Sequence, residues 1–238
     1  MNLTRRHVNN DWKSHVADTG VTCWTCHRGQ SVPTGDWYAR PDDGGSGYLG
    51  NKNHELTPGI SNIGNTALLA DPLSSYLLQD NEVRVQGSLA LAGENRKSTL
   101  QTKNTYSLMI YLSKSLGVNC NYCHSTRAFA DWRQSTPQRV TAWHGIRMVR
   151  ELNLDYLVAV DAMLPNYRLG ESGDGPKLGC GTCHKGTFKP LAGVSMKKDY
   201  PELWRIGGPP AQTGYVSPPD VAVLNPVVAP ERLMDGRY

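Results

Sequence analysis

The chain has 238 residues, room for one large domain or two small ones, and its 39% apolar content, 2 Phe, 24 Gly and 15 Pro predict long irregular connections in place of a deep side-chain core. The formal charge of +4 comes from scattered Lys and Arg, with no basic stripe interleaved with aromatics, which argues against nucleic-acid binding. No window of about 18 apolar residues occurs, so no transmembrane helix is predicted.

In chain order, Met1 through His7 opens no apolar run and carries neither a cleavage site nor a lipid-attachment cysteine. A helix is predicted from Asn2 to about Ala17, followed by Cys23-Trp24-Thr25-Cys26-His27. Residues 31 to 65 are rich in Gly, Pro, Asn and Asp and read as irregular surface structure. Residues 66 to 92 have room for one short helix and a strand or hairpin around Glu82-Val83-Arg84-Val85. From Ser98, a plausible N-cap, a helix runs to Ser115 with Leu100, Tyr106, Met109, Ile110 and Leu112 as its apolar face and Gly117 as its stop. Cys120-Asn121-Tyr122-Cys123-His124 follows at once. A further helix is predicted from Pro137, a first-turn proline, to Leu152, with Val140, Trp143, Ile146, Met148 and Val149 apolar. Cys180-Gly181-Thr182-Cys183-His184 is the last motif, and from Gly207 onward prolines recur without a period, as in a mobile tail or an arm lying on a partner.

Three Cys-x-x-Cys-His motifs use every cysteine of the chain, and this is the attachment signature of c-type haem. Two thiols three residues apart each add across one vinyl group of the same porphyrin, and the adjacent imidazole reaches the iron. A Cys-x-x-Cys pair also serves zinc or dithiol redox chemistry. Zinc, however, usually takes two pairs within one small module, whereas these first cysteines lie 97 and 60 residues apart. Three covalently attached haems c are therefore predicted, held by Cys23, Cys26, Cys120, Cys123, Cys180 and Cys183, with His27, His124 and His184 as proximal ligands. Burial of three porphyrins, at roughly 25 cal/mol per Å² of apolar surface, would stand in for missing core side chains. Haem attachment also implies the periplasmic side of a bacterial inner membrane.

The sixth ligand decides what such irons do: one closed on both faces exchanges electrons, and one with an open face binds or reduces a small molecule. Met1, Met109, Met148, Met163, Met196, Met234, His7, His15, His54 and His144 are the candidates. Met109 stands out because it lies eleven residues before Cys120 on the preceding helix. His144, beside Trp143, reads as structural.

The stretches Arg6-His7-Val8-Asn9-Asn10-Asp11-Trp12-Lys13-Ser14-His15 through Cys23, Asn95-Arg96-Lys97-Ser98, Gly117-Val118-Asn119-Cys120 and Ser135-Thr136-Pro137-Gln138-Arg139-Val140 through Arg150 carry a resemblance. Over residues 1 to about 205 the chain resembles the bound multihaem cytochrome c subunit of purple-bacterial photosynthetic reaction centres. Members of that family usually carry four haems in two pairs, and this chain matches the second, third and fourth. A fragment of a longer chain is the expectation, with a three-haem variant as the alternative.

The resemblance implies a mainly α fold with extensive loops, built as helix-turn-CxxCH units packed around haems. Its units would be residues 1–32, 98–130 and 131–205, separated by an irregular connection over 33–97 and followed by a Pro-rich extension over 206–238. The resemblance also implies Met1 as distal ligand of the Cys23 haem, Met109 of the Cys120 haem and His15 of the Cys180 haem. It implies Arg139 as a propionate counterion at the membrane-facing end, with Arg147 a second candidate for that role. In the family the Cys120-type haem lies nearest the photo-oxidised chlorophyll pair, with the Cys180 type next. The implied function is re-reduction of that pair, with no substrate turnover. The implied partners are the periplasmic face of the reaction-centre core and a soluble donor, a small cytochrome c or a high-potential iron-sulfur protein. A multihaem carrier serving another complex and a multihaem reductase are the competing classes.

Overall fold

The computed structural model describes residues 3–16, 19–39, 71–85, 97–196 and 198–203. Among the described residues the fold is helical with irregular connections, without strands and with one isolated antiparallel bridge between Trp37 and Lys177. The N-terminal segment is a π-helix over Leu3–Asp11 that tightens after Trp12 into α1, Lys13–Val16. Then come α2 (Cys23–His27), α3 (Ser74–Leu77), α4 (Thr99–Leu116), α5 (Pro137–Leu152) and α6 (Cys180–His184).

Local chemistry sets the ends of α4. Ser98 Oγ accepts from the Gln101 N–H at 3.1 Å while Gln101 Oε1 accepts from the Ser98 N–H at 2.8 Å, a reciprocal cap. The helix stops at Gly117, whose φ of 65° is left-handed. A Cβ there would run into the carbonyl of Gly186. Gly117→Ala should therefore destabilise the protein by about 2–5 kcal/mol, from left-handed strain and backbone overpacking together. A denaturant midpoint equal to that of the parent would refute this.

The face that α4 buries matches the predicted one only in part, with Met109 and Leu112 packed against the core. Ser107, Leu108, Tyr111 and Ser115 are buried, whereas Leu100 and Tyr106 are each 57% exposed. The reason is contact with the backbone of the last motif: the Gly181 N–H donates to the Tyr111 hydroxyl at 3.2 Å, and the Gly186 N–H to the Ser115 carbonyl at 2.8 Å. Small and hydroxylated positions allow that approach, so the buried stripe is less apolar than its neighbour. Burial, and then the nearby thiol of Cys180, push Tyr111 well above the ordinary phenol range, so it stays protonated.

Helix α5 occupies the predicted span, with Val140, Gly145, Ile146, Met148, Val149 and Leu152 buried. Arg150 fastens α3 to it, donating through Nε to the Tyr76 carbonyl at 2.9 Å and pairing with Asp80. Around α5 a continuous core forms from Val8, Trp37, Leu73, Tyr76, Leu77, Leu108 and Trp132. The low apolar content thus supports more of a side-chain core than composition alone suggests.

Trp37 corrects the reading of residues 31 to 65 as surface structure. It is 2% exposed, its Nε1–H donates to the Leu178 carbonyl at 2.8 Å, and its backbone exchanges bonds of 3.0 and 2.8 Å with Lys177. With its polar atom satisfied, one large ring outweighs the loop composition around it. The short helix expected within 66 to 92 is α3, but residues 81–85 form no strand. There the Val83 carbonyl accepts from Thr105 Oγ1 at 2.7 Å, a side-chain partner in place of a ladder. Residues 40–70 and 86–96 and the tail from 204 onward lie outside the described residues. Among the described residues no helix is long and apolar enough to cross a membrane.

Candidate haem centres

The first and third motifs are built alike. The residue before each helix, Thr22 or Gly179, donates its N–H at 3.0 Å to the threonine inside the motif, Thr25 or Thr182. Both threonines are buried, and Thr182 also donates to the Gly35 carbonyl at 2.7 Å. Each helix ends on a left-handed residue, Arg28 or Lys185 (φ 50° for both), followed by Gly29 at 84° or Gly186 at 81°. Two successive left-handed residues swing the chain back across the imidazole. The carbonyls of Gln30 and Thr187 thereby meet His27 Nδ1 and His184 Nδ1, both at 3.0 Å.

The middle motif reaches the same end differently. Cys120–Tyr122 is a 3-10 turn, held to the start of α5 by Thr136 Oγ1 donating to the Tyr122 carbonyl at 2.6 Å. His124 Nδ1 meets the Phe129 carbonyl at 3.0 Å, and its ring lies on that of Phe129, centroids 4.3 Å apart and 3° from parallel. A carbonyl only accepts, so all three Nδ1 atoms carry the hydrogen and all three Nε2 atoms keep a free lone pair. That tautomer is the one that binds a metal through Nε2.

A fourth imidazole has the same arrangement. His15 Nδ1 donates to the Thr141 carbonyl at 2.8 Å, and its ring centre lies 6.1 Å from that of His184, at 68°. Two imidazole–metal bonds of about 2 Å, plus roughly 1 Å from each nitrogen to its ring centre, sum to about 6 Å. His15 sits against α5 only because position 145 is glycine, where a Cβ would come within 2.5 Å of His15 Cε1. Burial holds His15 below its ordinary range and His184 at about 4, so both rings are neutral at pH 7, as ligands must be.

All six cysteines are free, and Cys26 and Cys183 share a hydrogen bond with their sulfurs 2.9 Å apart. The second cysteines of two motifs thus adjoin, which brings their attachment sites together. Burial pushes Cys123 up to about 11 and Cys180 to about 12, so these two groups are thiols at pH 7. Among the described residues no group of three or more His, Cys, Asp or Glu side chains is arranged to hold a metal ion on its own. The residues fit haem attachment instead.

Residues 1–204 match the family described as the photosynthetic reaction centre cytochrome C subunit. The chain belongs to this family. It is 47% identical over 201 residues to the photosynthetic reaction center cytochrome c subunit of Thermochromatium tepidum, covering 84% of this chain and 49% of that protein. With the subunit of the same name from Rubrivivax gelatinosus the identity is 44% over 198 residues, 82% of this chain and 54% of the relative. For Roseobacter denitrificans it is 39% over 211 residues, 83% and 55%. The chain spans about half the length of these curated relatives. Membership in this family implies covalent c-type haem as the group that the Cys-x-x-Cys-His motifs hold.

The remaining candidates of this family member scatter. Met109 is half-buried on α4 against the core, Met148 is buried in α5, and Met163 is 74% exposed. Met196 Sδ accepts from Thr22 Oγ1 at 3.4 Å. Met1, His54, Met234 and the side chain of His7 lie outside the described residues. His144 packs edge-on to Trp143 with ring centres 4.7 Å apart, and burial with the Arg147 charge brings it to about 4.

The two arginines go to different places. Arg139 stacks over Trp132 at 4.6 Å and reaches Ser135 Oγ at 2.5 Å. Its charge, after burial, helps lower His124, so it stands beside the middle motif. Arg147 lies instead over Trp143 at 4.6 Å and near Trp12 at 6.0 Å, on the His15 side of α5.

Thr25, Thr182, Phe129, Gly145 and Trp12 escape motif reading. The shared pattern Cys-x-Thr-Cys-His-(Arg or Lys)-Gly at residues 23–29 and 180–186 is the signal that exposes the first two.

Proposed function

We propose that this chain is the part of an electron-transfer subunit that re-reduces the photo-oxidised chlorophyll pair of a reaction centre through three covalently attached haems. When bound, each haem supplies a one-electron ferric/ferrous couple. The reading rests above all on four imidazoles, His15, His27, His124 and His184, each with Nδ1 tied to a backbone carbonyl and Nε2 left to ligate.

In this reading the three cysteine pairs anchor the porphyrins, and His27, His124 and His184 are the proximal ligands. His15 closes the Cys180 site, a role supported by its 6.1 Å separation from His184. Met109 closes the Cys120 site, supported by its half-buried place on the helix that ends just before that motif. Met1 is the corresponding ligand for the Cys23 site by family spacing. A thioether favours ferrous iron and a second imidazole favours ferric, so two higher-potential centres and one lower one result. Arg139 stands by a propionate of the Cys120 site, holding positive charge there.

The units over 1–32, 98–130 and 131–205 each carry one motif. The core subunits of the reaction centre are the electron acceptor's carrier, and a small soluble cytochrome c or high-potential iron-sulfur protein is the donor. Intact protein matured in a periplasm should show a mass equal to the chain plus three haems through six thioether bonds. Fewer than three haems on fully matured protein would overturn this stoichiometry. Co-purification with bacteriochlorophyll-containing complexes tests the partner, and a chain recovered only free of them would sink that assignment.

A further inference from the structure

Asn153 is fully buried, and its carboxamide is paired at both ends. Its Oδ1 accepts from the Leu178 N–H at 2.8 Å, while Nδ2 donates to the Leu178 carbonyl at 3.0 Å and the Leu77 carbonyl at 3.3 Å. A carboxamide carries the same donor and acceptor as a peptide group, so Asn153 pairs with Leu178 as a neighbouring strand would. Trp37 Nε1 shares the Leu178 carbonyl at 2.8 Å, but the Leu178 N–H goes to Asn153. Asn153 takes this place where α5, ending at Leu152, passes into a π-helical turn over Asn153–Leu157, an irregularity that recurs at functional positions.

Leu178 stands two residues before Cys180, so this pairing fastens the third motif to the end of α5. Within the motif the His184 ring is already held, by the Gly179 N–H on Thr182 and by His184 Nδ1 on the Thr187 carbonyl. The facing ring refers to the same helix: His15 Nδ1 donates to the Thr141 carbonyl, and Gly145 leaves room for it. Thr141 and Asn153 are about 18 Å apart along the axis at 1.5 Å per residue. One helix therefore anchors both imidazoles, whose planes cross at 68°.

We infer that Asn153 is a positioning residue that sets the angle between the two imidazole planes on the iron of the Cys180 haem. This rests on the His15–His184 ligation proposed above and deepens it. Ligation places each nitrogen on the iron axis but leaves the ring free to rotate about that axis, so the surrounding protein chooses the angle. In low-spin ferric haem, rings near perpendicular leave the two iron d orbitals that meet the imidazole π systems nearly equal in energy, whereas parallel rings split them. Near-perpendicular rings thus give a larger maximal g value in electron paramagnetic resonance, and a higher potential, than parallel ones.

The test uses the holoprotein poised where only its lowest-potential haem is ferric and therefore visible. Asn153→Leu removes the amide at similar size, and Asn153→Ser is the milder variant should the first not fold. Arg150→Gln loosens α3 from α5 without touching Leu178 and controls for lost packing. The parent should show the near-infrared bis-histidine band by magnetic circular dichroism together with a large maximal g value. Absence of the band would overturn the ligation, and this inference with it. In the Asn153 variants the band should remain while the g feature broadens and moves down, because rings released from 68° sample smaller angles. The ferric-to-ferrous ratio at fixed applied potential should rise about two- to fivefold, tenfold being about 59 mV for one electron. Arg150→Gln should lower the thermal midpoint and change neither readout. With the band present, a g feature and ratio unmoved in the Asn153 variants would overturn this inference alone. So would equal changes in Arg150→Gln, which would reduce Asn153 to general packing.

Discussion

His15→Ala is expected to open the sixth position of the Cys180 haem, converting it from low-spin bis-histidine iron to high-spin or solvent-ligated iron while the Cys23 haem stays near normal. The expectation follows from the pairing of His15 with His184 at 6.1 Å and from the Thr141 carbonyl that holds His15 with Nε2 free. No other histidine is set opposite His184 among the described residues: His144 turns to Trp143 instead. Stability should fall too, because in the proposed ligation the iron would tie α1 to α6 and because the buried imidazole fills space against Gly145. For a domain of this size each kcal/mol lost lowers the thermal midpoint by roughly 2–4 °C. Gly145→Val should reproduce the spectral change with His15 still present, since its side chain would claim the volume of the ring. A bis-histidine signal persisting in His15→Ala would show that His15 is not the ligand, and His144 or His7 would be tested next.

Met109→His should lower the potential of the Cys120 haem and slow re-reduction of the photo-oxidised pair. The imidazole is the stronger donor and stabilises ferric iron relative to a thioether. Each shift of about 59 mV changes a one-electron equilibrium tenfold, and exchanging these ligand types should amount to more than one such step. Because Met109 is half-buried on α4 and not in its fully buried stripe, the helix should tolerate the change. Redox titration and flash kinetics of the complex decide the matter. Kinetics identical to those of the parent would mean that another side chain ligates this iron or that another haem is the proximal donor.

Several features were readable from sequence because short-range chemistry decides them. The haem motifs are five residues long, and their thiol spacing is a covalent requirement. The bounds of α4 and α5 follow from Ser98, Gln101, Gly117 and Pro137, groups that act within one turn of themselves. The buried face of α4 was only partly readable: Met109 and Leu112 pack against the core, but the fully buried positions are chosen by the backbone of residues 179–186 and not by apolar periodicity. Trp37 was missed for the same reason: its partners, Lys177 and Leu178, are far along the chain.

At the haem centres the division is similar. The six cysteines and three histidines proposed as attachment and proximal groups were named from sequence alone, as attachment demands them side by side. Spacing left ten candidates for the distal positions, and family resemblance narrowed these to Met1, Met109 and His15. Only tertiary structure brings His15 to His184, Cys26 to Cys183 and Arg147 to Trp12. Two of these contacts depend on close backbone approach, the first through Gly145 and the second through the paired motif helices. Such approaches are set by packing between distant segments, which leaves no local pattern in the order of residues.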